Sequence, residues 1–277
     1  ILRGASARFR AESLRLGEEL ATGLKADPVA ATRGDWRVVA GIAHALSGLE
    51  ARRNALSEMT VFADAVQEAL GQVQDVAREL GPLMLSASIT ADPSTVDTTS
   101  QDARQSLGTV VAALNGRVAG RALFSGAATD RTALLSSEAM LAELETEIAG
   151  ETTASGVAAR IAEWFDTPGG GFDTLAYQGS STPLSPFRVG AAEEVPMTVT
   201  AEAEALREVM KGLAMAALAT GPALDGRTAE QAALVEAAGG RLLAGDNGLA
   251  TLRGEVGSAQ SRIAGAATRT ATEATAL

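Results

Sequence analysis

The sequence predicts a mainly α-helical protein in which the two ends of the chain form one discontinuous, antiparallel bundle of long, coiled-coil-like helices. First, an apolar stripe with helical spacing runs through residues 59–84. Second, apolar residues recur every seven positions near the C-terminus. Third, residues 123–200, which lie between these two stripes, have a mixed periodicity. Because helices with such stripes bury them against one another, we expect the first and last parts of the chain to share one core. The C-terminal series is Val235, Leu242, Leu249, Val256 and Ile263.

Composition narrows the class of protein. Hydrophobic residues make up 46% of the 277 residues but aromatic residues only 3%, so the core must be built mainly from Ala, Leu and Val. With no cysteine, disulfides, thiol catalysis and thiolate metal sites are excluded. The net charge of −11, without a basic patch, predicts no nucleic-acid partner and no binding to an acidic membrane surface. Lys25 and Lys211 are the only lysines, which we interpret as genome composition.

Three helices are predicted in the N-terminal part. Asp27-Pro28 ends the first, because a residue before proline is disfavoured in the helical region. Asp92-Pro93-Ser94 breaks the pattern before the third. The predicted ranges are 5–25, with Phe9, Leu16, Leu20 and Leu24 on one side; 35–87; and 100–119, with Ala103, Leu107, Val110, Val111, Leu114 and Val118 facing inward.

Residues 123–200 predict a smaller, mixed α/β inserted domain. Short helices are expected near residues 140–148 and 157–165, and a flexible connector at Gly169–Gly171. Short strands are expected at 174–178, 186–189 and 195–199, separated by Gly, Ser and Pro. The helical bundle domain therefore comprises residues 1–122 and 201–277.

The C-terminal part returns to helix at residues 201–219 and again from Thr228 to the end, with a break at Gly221-Pro222. Thr228 to Gln231 has the pattern of a capping box. The stripe at 59–84 is assigned to the core, because its three apolar columns are wider than a two-stranded seam requires. For the last helix two interpretations stay open: its apolar stripe belongs to the core of the bundle, or it is an exposed seam that binds a partner helix. Its small residues Gly245, Ala259 and Ala266 permit close approach.

Three segments, in this order, resemble the flagellin family of bacterial flagella, and in particular its members at the junction of hook and filament. Residues 20–31 (LATGLKADPVAA) resemble the turn after the first family helix. Residues 114–117 (LNGR) and 121–130 (RALFSGAATD) resemble the strand that leaves the helical domain. Residues 249–263 (LATLRGEVGSAQSRI) are similar to the C-terminal family helix, and the turn Tyr177-Gln178-Gly179-Ser180 is similar to one in the middle domain of these junction members.

The resemblance implies a secreted structural protein of the extracellular flagellum, required for motility. It implies neighbouring hook-associated protein and flagellin as partners, a secretion chaperone before export, and self-association in a ring at full length. It also implies that terminal helices beyond Ile1 and Leu277 are missing, so we expect this chain to be monomeric. Two alternatives stay open: a flagellin of the filament itself, and a helical binding module such as a secretion chaperone or a signalling coiled coil.

No motif indicates an enzyme, and we predict no catalytic, cofactor-binding or metal-binding residues. His44 is the only histidine and lacks a partner motif, so a structural or solvated role is expected. Asp246-Asn247-Gly248 lacks the spaced ligands and closing Glu of a calcium loop, so it predicts a kink or a solvated face. The acidic pairs Glu18-Glu19 and Glu193-Glu194 lie in segments without the signature of a cleft.

Overall fold

The computed structural model of the chain describes residues 2–22, 36–190 and 192–276. Over these residues the protein is mainly helical, as the sequence predicts. Leu24, Lys25 and Asp27-Pro28 lie outside the described residues. In chain order, the elements are α1 (Leu2–Thr22), α2 (Trp36–Thr90), α3 (Pro93–Leu114), β1 (Arg117–Val118), β2 (Arg121–Ala122), α4 (Ser137–Glu147), α5 (Ala154–Asp166), a π-helical turn (Phe172–Ala176), β3 (Phe187–Arg188), β4 (Glu194–Val195), α6 (Glu204–Leu218), a 3₁₀ turn (Pro222–Leu224) and α7 (Thr228–Ala276).

The chain forms two compact units. The first comprises Ile1–Ala55 with Thr268–Leu277, and the second is Leu56–Ala267. One hydrophobic core extends through the second unit, with members from Leu56 to Ala266. The predicted domain boundaries after residues 122 and 200 both fall inside this second unit, and they stay a prediction.

Within the second unit, the two predicted stripes are buried. The five heptad-spaced residues of α7 are at most 1% exposed, which assigns that stripe to the core. The stripe of α2 is buried over most of its length, although Leu83 is 55% exposed. Polar side chains join the two helices beside the stripes. Asp64 Oδ1 accepts a hydrogen bond from Gln260 at 2.7 Å, and Asp246 Oδ1 accepts one from Arg78 at 2.9 Å.

The third predicted helix begins and ends earlier than expected. The predicted break is present at Ala91-Asp92. The next helix, however, starts at Pro93 and not near Ser100, because the Asp92 carboxylate accepts a hydrogen bond from Thr95 N and proline suits the first helical turn. The helix ends at Leu114 instead of Ala119, since Asn115 leaves the helical path and pairs with Leu134 through both its amide atoms. Residues 117–122 then form the β1–β2 hairpin.

In the middle segment, α4 and α5 confirm the two short predicted helices, and β3 and β4 lie within two of the three expected strand regions. The strand expected at 174–178 is wrong. Phe172–Ala176 is a π-helical turn, and only Tyr177 forms an isolated bridge, with Leu134. Phe172 and Ala176 are both fully buried while Thr174 between them is exposed, which suits a helical turn, because all three residues would share one face of a pleated strand.

The glycine run, expected as a flexible connector, forms a turn that packs on Trp164. Gly169 N donates a hydrogen bond to Asp173 Oδ2 at 2.8 Å. At Gly171 an added Cβ would overlap the indole ring of Trp164, so the backbone lies directly against this buried side chain. Glycine is needed here because no side chain fits between backbone and ring.

The C-terminal helices begin close to the predicted positions, but the capping box is wrong. The Gln231 side chain donates to Leu224 O at 3.0 Å. The Glu230 carboxylate accepts a hydrogen bond from Ala154 N, at the start of α5, at 2.6 Å. Both side chains therefore connect α7 to earlier parts of the chain. Gly245 does permit close approach, since an added Cβ would lie 2.6 Å from Val209 Cγ2 of α6.

Candidate functional site

Two of the segments that carry the family resemblance meet in the structure. Ser180 N donates a hydrogen bond to Ser125 O at 2.9 Å, and the Tyr177 hydroxyl donates to Ser180 O at 3.0 Å. Gly126 has φ +59°, and an added Cβ there would overlap Ser180 O. We call this contact between residues 123–126 and 177–180 the loop junction. Its side chains Phe124 and Ser125 are fully buried, so it fixes the backbone of both segments.

Buried aromatic rings support one side of the loop junction. The Tyr177 ring stacks near Phe172 at 6.5 Å between centroids, and Phe172 stacks on Phe165 at 5.4 Å. Burial, together with the charge of Glu202, raises the pKa of Tyr177 to about 12. Burial also raises the pKa of the Glu202 carboxyl, and the charge of Asp173 adds to this effect. The phenol therefore stays protonated at neutral pH and keeps its hydrogen bond to the turn.

A second group of polar residues lies between α5, α6 and α7. The Lys211 side chain is fully buried, and its Nζ lies 2.5 Å from Asp166 Oδ2 and 2.7 Å from Glu208 Oε1. Arg241 Nη1 of α7 lies 3.2 Å from Glu208 Oε2. We call these four residues the buried charge cluster after the buried Lys211 at its centre, although the Asp166 and Arg241 side chains are 48% and 43% exposed. Pairing of this kind is what makes a fully buried ammonium group tolerable, because an unpaired charge would be strongly disfavoured there.

The sequence reasoning did not identify the buried charge cluster. Lys211 was interpreted as genome composition, although it interrupts an apolar stretch of α6 that is buried from Val209 to Leu218. The available signal was the rarity of lysine itself. Of the 23 basic residues, all except Lys25 and Lys211 are arginines, so a lysine inside an apolar helix is unusual for this chain.

The residues weighed as possible sites lie apart from both features. His44 is exposed on α2, and in the first unit it lines a shallow surface depression with Arg52 and Glu273, whose charged groups lie 3.4 Å apart. Asp246-Asn247-Gly248 lies inside the continuous helix α7, where Asn247 is exposed. Asp246 accepts hydrogen bonds from Gln74 at 2.7 Å and from Arg78, so it joins two helices.

Members of both acidic pairs take part in ion pairs or in the hydrogen bonds of a turn. Glu19 Oε1 lies 3.9 Å from Arg15 Nε on α1. The Glu193 carbonyl accepts hydrogen bonds from Val189 N and Gly190 N, which closes the turn between β3 and β4, and Glu194 lies 3.8 Å from Arg188 across that strand pair. Among the described residues, no group of three His, Asp or Glu side chains is arranged to hold a metal ion.

Helix α1 presents large apolar side chains to solvent. The exposed fraction is 74% for Phe9, 51% for Leu16 and 89% for Leu20, which are the three described members of its predicted apolar side. Leu14 is exposed as well, at 75%. Within the described ranges, no helix has the length and apolar character needed to cross a membrane.

Comparison of the chain with models of known families, with characterised proteins and with solved structures found no match to any of them.

Proposed function

We propose that this protein is a structural subunit of the bacterial flagellum that joins the hook to the filament. It acts outside the cell and has no catalytic role. Its partners are the neighbouring axial proteins, a secretion chaperone before export, and copies of itself in a ring. The proposal begins from the sequence resemblance, and the observation that carries it further is the loop junction.

The loop junction supports the proposal because the two resembling segments are far apart in the chain. More than fifty residues separate Ser125 from Ser180, yet a backbone hydrogen bond of 2.9 Å and a buried tyrosine join them. Two short matches that arose independently by chance would have no reason to meet. Segments that belong to one family fold would be expected to form a common structural feature of this kind.

The proposed architecture is a discontinuous antiparallel bundle with an inserted mixed domain at residues 123–200. The pairing of Asp64 with Gln260, and of Arg78 with Asp246, supports antiparallel α2 and α7, because the earlier residue of one helix meets the later residue of the other. The β3–β4 hairpin folds back toward these helices. Phe187 of β3 lies 5.7 Å from the Phe62 ring of α2, and Arg262 of α7 donates to Glu194 O at 2.6 Å.

The position of the protein on the flagellum separates the proposal from its alternatives. Antibodies raised against the 277-residue chain would be applied, with gold particles, to flagella of the bacterium that encodes it. A single labelled zone between hook and filament is the expected result. Label along the whole filament would replace the proposal with a filament flagellin. Label confined to the cell body, with none on flagella, would favour a helical binding module.

A second test uses the gene. Its deletion is expected to leave cells with hooks that carry no filament and to release flagellin into the medium, because the filament has nothing to attach to. Complementation with Gly120→Ala is expected to restore filaments, since an added Cβ at Gly120 meets open space, whereas Gly126→Ala would disturb the loop junction. Normal filaments in the deletion strain would refute the proposed role.

A further inference from the structure

The buried charge cluster contains the groups needed for a covalent bond. The Lys211 amine is fully buried and lies 2.5 Å from the carboxyl group of Asp166, the last residue of α5. A second carboxylate, Glu208, lies 2.7 Å from the same amine. A nucleophile, a carboxyl group that it can attack, and a group that can carry a proton between them are thus in direct contact.

We propose that Lys211 Nζ and Asp166 Cγ form an intramolecular amide bond after the chain folds, with Glu208 as the catalytic carboxylate. This inference rests on the geometry of the cluster alone and does not depend on the proposed flagellar role.

The reaction needs no co-reactant. In the first step, one proton passes from the Lys211 ammonium to the Asp166 carboxylate, which gives a neutral amine and a neutral carboxylic acid. The amine lone pair attacks Cγ of Asp166, and Glu208 takes a proton from the nitrogen and gives it to the departing hydroxyl group. One C–N bond forms, one C–O bond breaks, and one water molecule leaves.

The surrounding residues favour this chemistry. Arg241 holds Glu208 through Oε2 at 3.2 Å, which leaves Oε1 directed to the amine. Asp166 follows the fully buried Phe165, while its own side chain is 48% exposed, so the released water has a way out. This chemistry also needs lysine and not arginine, the residue at all other basic positions except Lys25, because a guanidinium group is always charged and is not a nucleophile.

The bond would tie the middle segment to the C-terminal helices. Asp166 and Lys211 are 45 residues apart, and β3, β4 and the second half of the loop junction lie between them. A covalent link closes this loop, which reduces the conformational entropy of the unfolded chain in the way that a disulfide does. A chain without cysteine would gain such a link without oxidation.

Intact mass spectrometry of the folded, purified chain is the direct test. The expected mass is that of the sequence minus one water molecule. The mass of the unmodified sequence, after prolonged incubation of the folded protein, would overturn the proposal and leave the cluster as an ion pair only.

Peptide mapping locates the loss of water. With the bond present, trypsin cannot cleave after Lys211, and residues 161–188 are expected to remain linked to residues 208–227. Dehydration at Asp225-Gly226 would give the same change in intact mass. It would leave Lys211 cleavable and residues 161–188 free, which would also overturn the proposal.

Variants test the role of each group, with circular dichroism as the check on folding. Lys211→Arg and Glu208→Gln are expected to have their unmodified masses. Asp166→Asn is expected to release ammonia instead of water and to give the same final mass as the crosslinked natural chain. Glu163→Gln, which changes an exposed carboxylate on α5 outside the cluster, is the matched control and is expected to crosslink fully. A folded Glu208→Gln variant that crosslinks as fast as the natural chain would remove Glu208 from the mechanism.

Discussion

At Gly245 the backbone of α7 lies against α6, and this contact gives a sharp test of the packing. An added Cβ would lie 2.6 Å from Val209 Cγ2, 3.2 Å from Val209 N and 3.3 Å from Ala205 O. Two of these three atoms belong to the backbone, so rotation of a side chain does not relieve them. The valine is also restricted at χ1 within a helix. Gly245→Ala therefore forces the two helices apart or strains both.

Gly254, on the same helix, is the matched control. It is exposed, and an added Cβ there meets nothing within 4 Å. Replacing glycine by alanine inside a helix adds about 1 kcal/mol to the free energy of unfolding through helix propensity. Both variants share this gain, but Gly245→Ala also incurs an overpacking cost of about 1–3 kcal/mol. We expect Gly254→Ala to stabilise, and Gly245→Ala to be neutral or destabilising by up to about 2 kcal/mol.

Urea unfolding followed by circular dichroism measures both variants beside the natural chain. The difference between the two free energies of unfolding isolates the overpacking cost, because the propensity gain cancels. An equal increase for both variants would show that α6 and α7 do not approach at Gly245, and the close packing argued from the small residues of α7 would then be wrong.

Three further predictions concern Gly126, Tyr177 and Asp92. Gly126→Ala and Gly120→Ala both place alanine at positive φ, at a cost of about 1–2 kcal/mol, but only Gly126→Ala overlaps Ser180 O, so its urea midpoint is expected to fall further than that of the control. Burial raises the pKa of Tyr177 to about 12, so the stability linked to its protonated form is full below pH 10 and is lost as the pH rises toward 12. Ultraviolet titration of this single tyrosine measures its pKa in the folded protein. Complete ionisation at pH 10 would contradict the prediction. Hydrogen bonds from Ser94, and then from Thr95, lower the pKa of Asp92. The contribution of this carboxylate to stability is therefore present above the ordinary pKa of 3.8 and is lost as the pH falls through the lowered pKa. Asp92→Ala is expected to reduce this acid dependence in unfolding titrations.

The sequence predicted the long helices well because their period is repeated many times. In α7, five apolar residues at a spacing of seven all proved buried, and in α2 the stripe from Met59 onward is interrupted only where Leu83 faces solvent. One error in this part was the start of α3, which was placed at residue 100 although Asp92-Pro93 is a good helix start. A hydrophobic pattern reports the buried face and says little about caps.

The middle segment was predicted less well, because tertiary contacts decide its conformation. Residues 174–178 have a composition typical of a strand, yet the burial of Phe172 against Phe165 selects a π-helical turn. The contacts of the buried charge cluster could not be predicted from sequence for a related reason, although the rarity of lysine marked one of its members. Its members Asp166 and Lys211 are brought together only by the packing of α5 on α6, and no local pattern encodes that contact.

The low aromatic content of the chain follows from how its two parts are packed: helix–helix contacts use small residues, and the middle segment uses large rings. Where helices cross, small residues let the backbones approach, as at Gly245 against α6 and at Gly212, where an added Cβ would lie 2.9 Å from Ala238 O. The middle segment packs short elements and loops together, and large rings fill the space between them: Phe124 in the loop junction, Phe165 in α5 and Phe172 in the π-helical turn are fully buried. A chain that is mostly helix contact therefore needs few aromatic residues. Substitution of those few is expected to affect the middle segment before the long helices, which hydrogen exchange resolved by segment would detect.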